Sequence, residues 1–561
     1  MFCGFVLPMQ GKRIWGTLDP FIEAGGYMGR SAANAGFLHA LLDADPFDAY
    51  HFFLSGPGQA TVLHEALAER HPRLLADPGK IRLANRLELP AALGEVAYHC
   101  FHCSDCINHP PQLARIRNLM SKEIFPVTSV THSLSYSRYA KEFLAHLWPG
   151  CTPRDVVVAT SRAGKHAVEG FYEALRAGYG LAPEAFPQPE IATIPLGIDP
   201  LSLVPANAEG KAAARQLWSL RPEQTVLLVF GRIDHASKLD VLPLLRALQR
   251  VQAAPGGLCL VLAGGSSPEA EADDVAGRLY AAARALGLDL RRVVNPDAAT
   301  KQALFAAADI FVSPVDNLQE TFGLVLLEAG AMGLPAIVSD FDGYRDIVEH
   351  ERTGLLIPTR GPLSDAGFDA CAPLEFDNQY HLKYAQQTVV DVPLLAAAIE
   401  RLAAAPDERR RLGEAARRRV LELFTWAKVV DAYVALWDRL WGVSVDAERV
   451  RTVTHPLHIP YGRVFASYPS QSFDPALRLR WSGAGQAVYR GRDHYYLYAG
   501  VAAAVDPAAV KTLLFLARKV ETAGRLVQRL ATAHELLPET ARFHLLWALK
   551  HDLLECVFQE A

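Results

Sequence analysis

Short apolar runs alternate with helical patterns along most of this 561-residue chain. In the first 195 residues we predict the helix SAANAGFLHALLDA and the strands FCGFVLP, AYHFFLS, PVTSVTHSLSY and RDVVVATS. Repeated strand–helix–strand units are typical of a parallel sheet with helices on both faces. The alternation therefore predicts an α/β fold whose first domain is a doubly wound sheet.

A second alternating series starts after residue 200, and a helical region follows it. Its predicted strands are TVLLVF, LCLVLAGG, DIFVSP and AIVSD, and its helices include VLPLLRALQRV, DDVAGRLYAAARALG and KQALFAAA. We interpret IATIPLGIDP, residues 191–200, as the hinge between the two series. The predicted domains are 1–195, 196–423 and a mainly helical C-terminal appendage over 445–561, in which no chemical motif is recognised.

Composition and charge exclude several classes of protein. A net charge of −5 and a pI near 6.4 provide no basic surface for nucleic acid. The N-terminal apolar run has no basic segment before it, and no run reaches the roughly 18 apolar residues that a membrane span needs. Eight cysteines in 561 residues do not form a disulfide scaffold, so we expect a cytoplasmic protein.

The stretch Asp316 to Pro358 has the features of a phosphosugar site. Glu320 and Glu328 flank a Thr-Phe-Gly turn that opens the predicted helix TFGLVLLEAGAM. The free amides of a helix N-terminus bind phosphate, and carboxylates accept hydrogen bonds from sugar hydroxyls. The alternative is an ordinary α/β unit with two surface glutamates.

Charged and glycine-rich segments follow two other predicted strands. Arg232 and Lys238 come just after TVLLVF, where cations suit a diphosphate, although solvated surface charges are the favoured alternative for this pair in isolation. The loop from Glu23 to Arg30 contains Gly25 and Gly26, whose backbone amides could approach a ligand closely. A simple turn is the alternative for this loop.

Taken in order, these motifs resemble the retaining glycosyltransferases of the GT-B fold, in particular the family 4 group. The resemblance covers roughly residues 1–440, with Thr321 where many members have proline and Gly330 where methionine is common. The motifs that carry it are Gly231-Arg232, Ser237-Lys238-Leu-Asp240, LVLAGG, Glu320 to Ala329, Gly333-Leu-Pro335 and Gly354-Leu-Leu-Ile.

The match is looser in the first domain. There Gly25-Gly26 is similar to the family's donor loop, and Thr131-His132-Ser133 to the segment whose histidine faces the transferred sugar. Ser161-Arg162 is similar to the turn before the hinge, and Phe424 to Trp441 to the helix that crosses back onto the first domain.

The resemblance implies two Rossmann-like domains facing a cleft that binds a UDP-, GDP- or ADP-linked sugar. Arg232 and Lys238 would then neutralise the leaving diphosphate without an essential divalent metal or cofactor. Glu320 and His132 would hold the sugar from opposite walls, and Glu328 would accept from the ribose. Transfer would retain the anomeric configuration without a dedicated nucleophile. The backbone amides expected at the phosphates belong to Thr321, Phe322, Gly323 and Leu324.

The resemblance leaves one local feature and several functions open. Cys100, Cys103 and Cys106 could bind zinc or an iron–sulfur cluster, but we favour three free thiols in a buried or acceptor-lining loop. The alternative functions are a sugar phosphorylase, a nucleotide-sugar epimerase, or a non-catalytic nucleotide-sugar binder acting through its appendage. The acceptor stays unknown, and peripheral contact with a membrane stays open.

Overall fold

The computed structural model describes residues 11–23, 29–252, 254–265, 275–362, 366–375, 377–502 and 504–557. The chain divides into two compact units, Met1–Leu457 and His458–Ala561. The predicted strand FCGFVLP and the two glycines Gly25 and Gly26 lie outside the described residues.

The first half of the first unit is built on a parallel sheet of seven described strands. The order is β3-β2-β1-β4-β5-β6-β7, with every neighbouring pair parallel. The strands are β1 (Ile14–Thr17), β2 (Ala49–Leu54), β3 (Ile81–Asn85), β4 (Cys100–Cys103), β5 (Val127–Val130), β6 (Asp155–Ala159) and β7 (Glu190–Thr193). The helices are Gly29–Ala44, Pro57–Arg70, Pro72–Ala76, Leu89–Glu95, Pro110–Met120, Tyr139–His146 and Arg162–Tyr179, with a 3₁₀ turn at Arg86–Glu88.

The second half is built on a parallel sheet of six described strands in the order β10-β9-β8-β11-β12-β13. They are β8 (Thr225–Phe230), β9 (Leu258–Gly264), β10 (Leu290–Val294), β11 (Ile310–Ser313), β12 (Ala336–Ser339) and β13 (Gly354–Ile357). The helices are Ala208–Leu217, Leu242–Arg250, Val275–Ala285, Ala298–Ala307, Leu324–Ala331, Tyr344–Ile347, Ala366–Glu375, Asp377–Ala385, Val392–Ala404 and Pro406–Leu423. A two-stranded antiparallel ribbon joins β14 (Thr359–Arg360) to β15 (Val389–Val390).

Burial on both faces explains why the central strands are apolar throughout. All six residues of β2 are buried, as are all four of β11, because helices cover both faces of each sheet. Side chains from the two faces enter separate cores, so Leu228 and Phe311 belong to one hydrophobic cluster and Leu227 and Ile310 to another. The predicted doubly wound α/β architecture is therefore confirmed for both halves.

The prediction was wrong where strands are short or polar. No strand was predicted between FCGFVLP and the first helix, but Ile14–Thr17 is a central strand. The run is only four residues long and contains Gly16, whose position against the Phe101 ring leaves no room for a side chain. The expected cysteine loop also contains a strand, Cys100–Cys103, and the predicted hinge begins inside β7.

The helix Trp426–Trp441 returns from the second half to pack on the first. Ile198 pairs with Thr425 in a short parallel bridge just before this helix begins. The Trp426 indole fills the space beside Gly36 and Gly197, where a β-carbon on either glycine would approach the indole to 2.7 Å. Further along, the Trp437 Nε1–H donates to Thr128 Oγ1 over 2.9 Å. The helix Ala447–Thr452 follows within the same unit.

The second unit contains helices and a small antiparallel sheet in the order β17-β16-β18. Its core is formed by apolar residues such as Leu513, Leu526 and Leu545. The strands are β16 (Arg478–Trp481), β17 (Glu521–Thr522) and β18 (Leu554–Cys556); the helices are Tyr461–Val464, Gly483–Tyr489, Ala499–Ala502, Pro507–Leu516, Ala523–His534 and Pro538–Lys550. None of the described helices of either unit is both long and apolar enough to cross a bilayer.

Candidate functional site

The candidate site lies at the carboxyl ends of β8, β9 and β11, the edge where open α/β sheets bind ligands. Gly231 directly follows β8, and Gly264 ends β9. Gly264 has φ of +142°, and a β-carbon there would overlap the carbonyl oxygen of Gly231. The backbones at Gly231 and Gly264 therefore approach each other closely. After Gly231 the chain turns away into the segment that carries Arg232 and Lys238.

Lys238 and Glu320 form an ion pair at the centre of this edge. Glu320 is only 7% exposed, and its Oε1 also accepts from the Phe322 N–H over 3.4 Å. A carboxylate this deeply buried needs a nearby cation to remain charged. The Lys238 ammonium provides that compensation.

Two further carboxyl groups line the same region. Burial, followed by the charge of Glu320, raises the pKa of Asp342 to about 8. Burial and the neighbouring Asp240 carboxylate raise the pKa of Asp316 to about 8. Both groups are therefore largely protonated near neutral pH and can donate as well as accept hydrogen bonds.

The helix Leu324–Ala331 presents its N-terminus beside this ion pair. Gly323 precedes the helix with φ of +101°, and no side chain of the described residues caps this end. The first amides of a helix lack intrahelical acceptors and carry the positive end of its dipole. Tyr344 packs under Gly323 and bonds the Ser313 hydroxyl over 2.9 Å, which keeps the turn in place. The arrangement is suited to an anion.

Glu328 lies on the same helix but has a different partner. Lys301 Nζ donates to Glu328 Oε1 over 2.5 Å and lies 5.2 Å from the centre of the Phe230 ring. Burial raises the pKa of Glu328, while the Lys301 charge partly opposes the shift. Among the described residues none donates to the other carboxylate oxygen of Glu328, and such an oxygen can accept from a hydroxyl.

Arg232 is half-buried near the Lys238 segment. Within the described ranges its guanidinium has neither an ion-pair partner nor a hydrogen-bond acceptor. A half-buried guanidinium is well suited to a phosphate because its planar fork can donate two parallel hydrogen bonds.

His132 follows β5 at the carboxyl edge of the first sheet. Its Nε2 lies 3.0 Å from Asn34 Oδ1 and 2.9 Å from the Ser104 carbonyl oxygen. Because both neighbours are acceptors, Nε2 carries the proton and Nδ1 is left with a lone pair. Burial lowers the pKa of His132 to about 4, so the ring is neutral and Nδ1 can accept a hydrogen bond from a hydroxyl.

The edges of the two sheets meet at this point. Ser133 Oγ donates to the Gln319 carbonyl oxygen over 3.3 Å, so the neighbours of His132 and Glu320 are in direct contact. A second contact joins the two halves, where the backbone N–H of Arg162 donates to Asp346 Oδ2 over 2.7 Å. The structure thus brings Lys238, Glu320 and the His132 segment together, and places Glu328 with Lys301. The predicted Gly25 and Gly26 cannot be placed among them.

Several residues of the site were missed by the sequence analysis. Asn34 and Ser104 orient His132, Asp342 and Tyr344 surround Glu320, and Lys301 pairs with Glu328. Asn34, Ser104 and Lys301 lie 98, 28 and 27 residues from the groups they bond, and Asp342 and Tyr344 lie in the stretch Asp316 to Pro358 but outside its recognised motifs. Only the tertiary fold makes them neighbours, and no local spacing could have revealed them.

The three cysteines of the His99–His109 segment do not converge. Cys100, Cys103 and Cys106 are all buried free thiols, and each belongs to a different hydrophobic cluster. Burial raises the pKa of all three thiols. In the part of the chain that the structure describes, no group of three or more potential ligands is placed to hold a metal ion.

Buried neutral histidines make stability depend on pH. The pKa of His132 is lowered from 6.5 to about 4 and that of His102 to about 3, mainly by burial. Between pH 6.5 and 4 the unfolded chain binds protons that the folded chain does not, so the free energy of unfolding falls as the pH decreases. Urea denaturation from pH 4.5 to 7 should show this fall. Replacement of His132 with asparagine should reduce the slope by up to about 1.4 kcal/mol per pH unit, and an equal slope would contradict the assignment.

Comparison with known proteins identifies related sequences and folds. Residues 224–370 match the family model described as "Glycosyl transferases group 1". A D-inositol 3-phosphate glycosyltransferase of Jonesia denitrificans is 32% identical over 165 residues, which are 29% of this chain and 38% of that protein. An uncharacterised glycosyltransferase of Methanocaldococcus jannaschii is 24% identical over 295 residues, covering 49% and 69% of the two chains. The match to the Jonesia protein thus spans well under half of that relative's length.

Solved structures share the fold. Anabaena HepE in complex with UDP aligns with a TM-score of 0.51 at 15% identity, over 77% of this chain and 100% of that one. A glycosyltransferase from Rickettsia africae aligns with a TM-score of 0.52 at 13% identity, with the same coverage. At these identities the likeness concerns the fold alone.

Proposed function

We propose that this chain, which carries a glycosyl transferases group 1 domain on a GT-B fold, transfers a sugar from a nucleotide-sugar donor to an acceptor hydroxyl. The observation that carries the proposal is the Lys238–Glu320 ion pair beside the uncapped start of the helix Leu324–Ala331. A cation and free amides suit the diphosphate, and a buried carboxylate suits the sugar hydroxyls.

The residues act on the two ends of the bond that breaks. Arg232, Lys238 and the amides of residues 321–324 face the diphosphate and stabilise the charge that develops as the anomeric C–O bond breaks. Glu320 accepts from the sugar hydroxyls, and His132 Nδ1 accepts from the opposite wall. The acceptor oxygen bonds the anomeric carbon on the same face, its proton moves to the departing phosphate, and the configuration is retained.

Glu328 fixes the nucleoside end of the donor. One of its oxygens is held by Lys301, and the other accepts from the ribose hydroxyls. Lys301 therefore orients the carboxylate and favours its ionised form, against the effect of burial on its pKa. Transfer is proposed to need no divalent ion, and equal rates with magnesium and with a chelator would support this.

The structural neighbours make UDP the first nucleotide to test, because HepE was solved in complex with UDP. The seven described cysteines are all free thiols, as expected for a protein that works in the reducing cytoplasm. The acceptor is not assigned.

A panel of nucleotide sugars tests the proposal. Thermal unfolding is measured with UDP-, GDP- and ADP-linked sugars, because a ligand that binds only the folded state raises the unfolding temperature. The stabilising donor is then incubated with candidate acceptors while free nucleoside diphosphate is measured. We expect release of diphosphate in equal amounts to glycosylated product.

The other reaction classes predict different products. A phosphorylase consumes or forms a sugar phosphate, an epimerase releases no diphosphate, and a non-catalytic binder is stabilised without turnover. Any of these three results, or no stabilisation by any donor, would overturn the proposal. The anomeric configuration of the product, determined by proton NMR, tests retention separately.

A further inference from the structure

A helical excursion, defined here as the described residues 361–362, 366–375 and 377–388, lies between the two strands of the β14–β15 ribbon. It contains the helices Ala366–Glu375 and Asp377–Ala385. The family model match ends at residue 370, so the second of these helices lies beyond it.

His381, on the second helix of the excursion, connects the two halves of the first unit. The side chain is fully buried, and its Nε2 lies 3.0 Å from the Ser135 carbonyl oxygen in the segment after β5. Its Nδ1 lies 2.8 Å from Gln319 Nε2, next to Glu320. Since a carbonyl only accepts, Nε2 carries the proton and donates it to Ser135, and Nδ1 accepts from the Gln319 amide.

These two bonds extend a chain of contacts through the candidate site. The Gln319 N–H donates to Asn317 Oδ1 over 3.0 Å, and Asn317 Nδ2 donates to the Ala236 carbonyl oxygen over 2.9 Å. Ala236 lies two residues before Lys238. The network therefore runs from the segment with the phosphate-facing cations, through the segment that carries Glu320, to the wall that carries His132.

The surroundings make the imidazole a rigid link. The Tyr136 ring packs against it in a T-shaped arrangement with ring centroids 5.4 Å apart. Near the end of the same helix, Gln386 Nε2 donates to Asp240 Oδ2 over 3.4 Å. The excursion thus contacts both walls of the candidate site, the one that carries His132 and the one that carries Lys238 and Glu320. His381 joins these two walls through its bonds to Ser135 and Gln319.

We propose that His381 is a positioning residue, contributed by the excursion, that holds the two walls of the donor cleft in register. The geometry alone supports the link, and its kinetic consequence rests on the proposed function. When only a fraction of molecules has the walls in register, the apparent affinity for donor falls by that fraction. A saturating donor concentration shifts all molecules to the arrangement with the walls in register, so the maximal rate is preserved.

Hydrogen–deuterium exchange tests the link without any turnover. In His381→Ala, amides in peptides covering residues 131–139 and 316–323 should exchange about tenfold faster, as expected when one or two hydrogen bonds are lost. His381→Gln, whose amide can still donate to Ser135, should show a smaller increase. His166→Ala, at an exposed histidine of the helix Arg162–Tyr179, is the control and should match the wild type.

Kinetics test the consequence. With the donor selected above, His381→Ala should raise the donor KM about tenfold with kcat within about twofold of the wild type, and His381→Gln should recover part of the loss. A fall in kcat at unchanged KM would contradict the role. Faster exchange confined to the helix Asp377–Ala385, or unchanged exchange in the peptides covering 131–139 and 316–323, would show that His381 does not link the two walls. If the wild type transfers no sugar, the exchange result alone decides.

Discussion

Replacing Lys238 with methionine is expected to lower kcat/KM for glycosyl transfer by about 10²–10³-fold, the effect of removing one preorganised group that stabilises developing charge. In the structure Lys238 pairs with Glu320 beside the helix start, and this ion pair fixes the position of the ammonium at the site. Under the proposed function, this ammonium faces the departing diphosphate. Steady-state rates with the donor selected by thermal stabilisation provide the measurement.

The same substitution affects stability through the partner left behind. Glu320 is 7% exposed, and an unpaired buried carboxylate costs about 3 kcal/mol or more of unfolding free energy. The double variant Lys238→Met/Glu320→Gln removes both charges and should recover most of that stability in urea denaturation. It should remain inactive, because the diphosphate and the sugar have each lost a contact.

Lys211→Met is a matched control, since Lys211 also forms a partly buried ion pair, with Asp309 over 2.7 Å. That variant should lose stability, but its rate of transfer, measured where the protein is folded, should not fall comparably. Transfer by Lys238→Met within tenfold of the wild type would show that Lys238 does not meet the diphosphate.

Gly323→Ala is expected to lower the free energy of unfolding by about 3 kcal/mol or more. Gly323 has φ of +101°, and an alanine β-carbon would lie 2.5 Å from Cε1 of Tyr344. Tyr344 is fully buried and bonded to Ser313, so its ring cannot move aside cheaply. The turn and the first amides of the helix would shift, and donor binding should fall with them.

Gly333→Ala separates backbone strain from the clash. Gly333 lies just past the other end of the same helix, with φ of +72° and its nearest neighbour, the Gly413 carbonyl oxygen, 3.9 Å from the added carbon. It should cost about 1 kcal/mol and leave donor binding unchanged. Denaturation midpoints and the donor-induced rise in unfolding temperature are compared for both variants. Equal losses would mean that the packing of Tyr344 is not what requires glycine at 323.

Much of the fold was predictable because its strands are buried on both faces. Runs such as TVLLVF and AYHFFLS are apolar throughout, and their positions as β8 and β2 agree with the prediction. The prediction failed for Ile14–Thr17 and for Cys100–Cys103, which are four-residue strands without a distinctive pattern. Their strand conformation depends on neighbours on either side in the sheet, which local sequence does not specify.

The candidate site, like the fold, has residues that could be predicted from the sequence and residues that could not. Arg232, Lys238, Glu320 and Glu328 could be selected because they follow strands or flank a helix start, and such positions are visible in a sequence. Their partners could not be selected in this way. Lys301 lies 27 residues from Glu328, and Asn34 lies 98 residues from His132.

The sequence by itself determined the two doubly wound domains, the helix start at Gly323 and the charged residues around it. Those features follow from hydrophobic periodicity, backbone freedom and chain order, which are local. Only the tertiary structure decided that Lys238 neutralises Glu320, that His132 is neutral with its proton on Nε2, and that His381 joins Gln319 to Ser135. Charge state and hydrogen-bond direction depend on burial and on groups from distant segments, and folding alone brings those together.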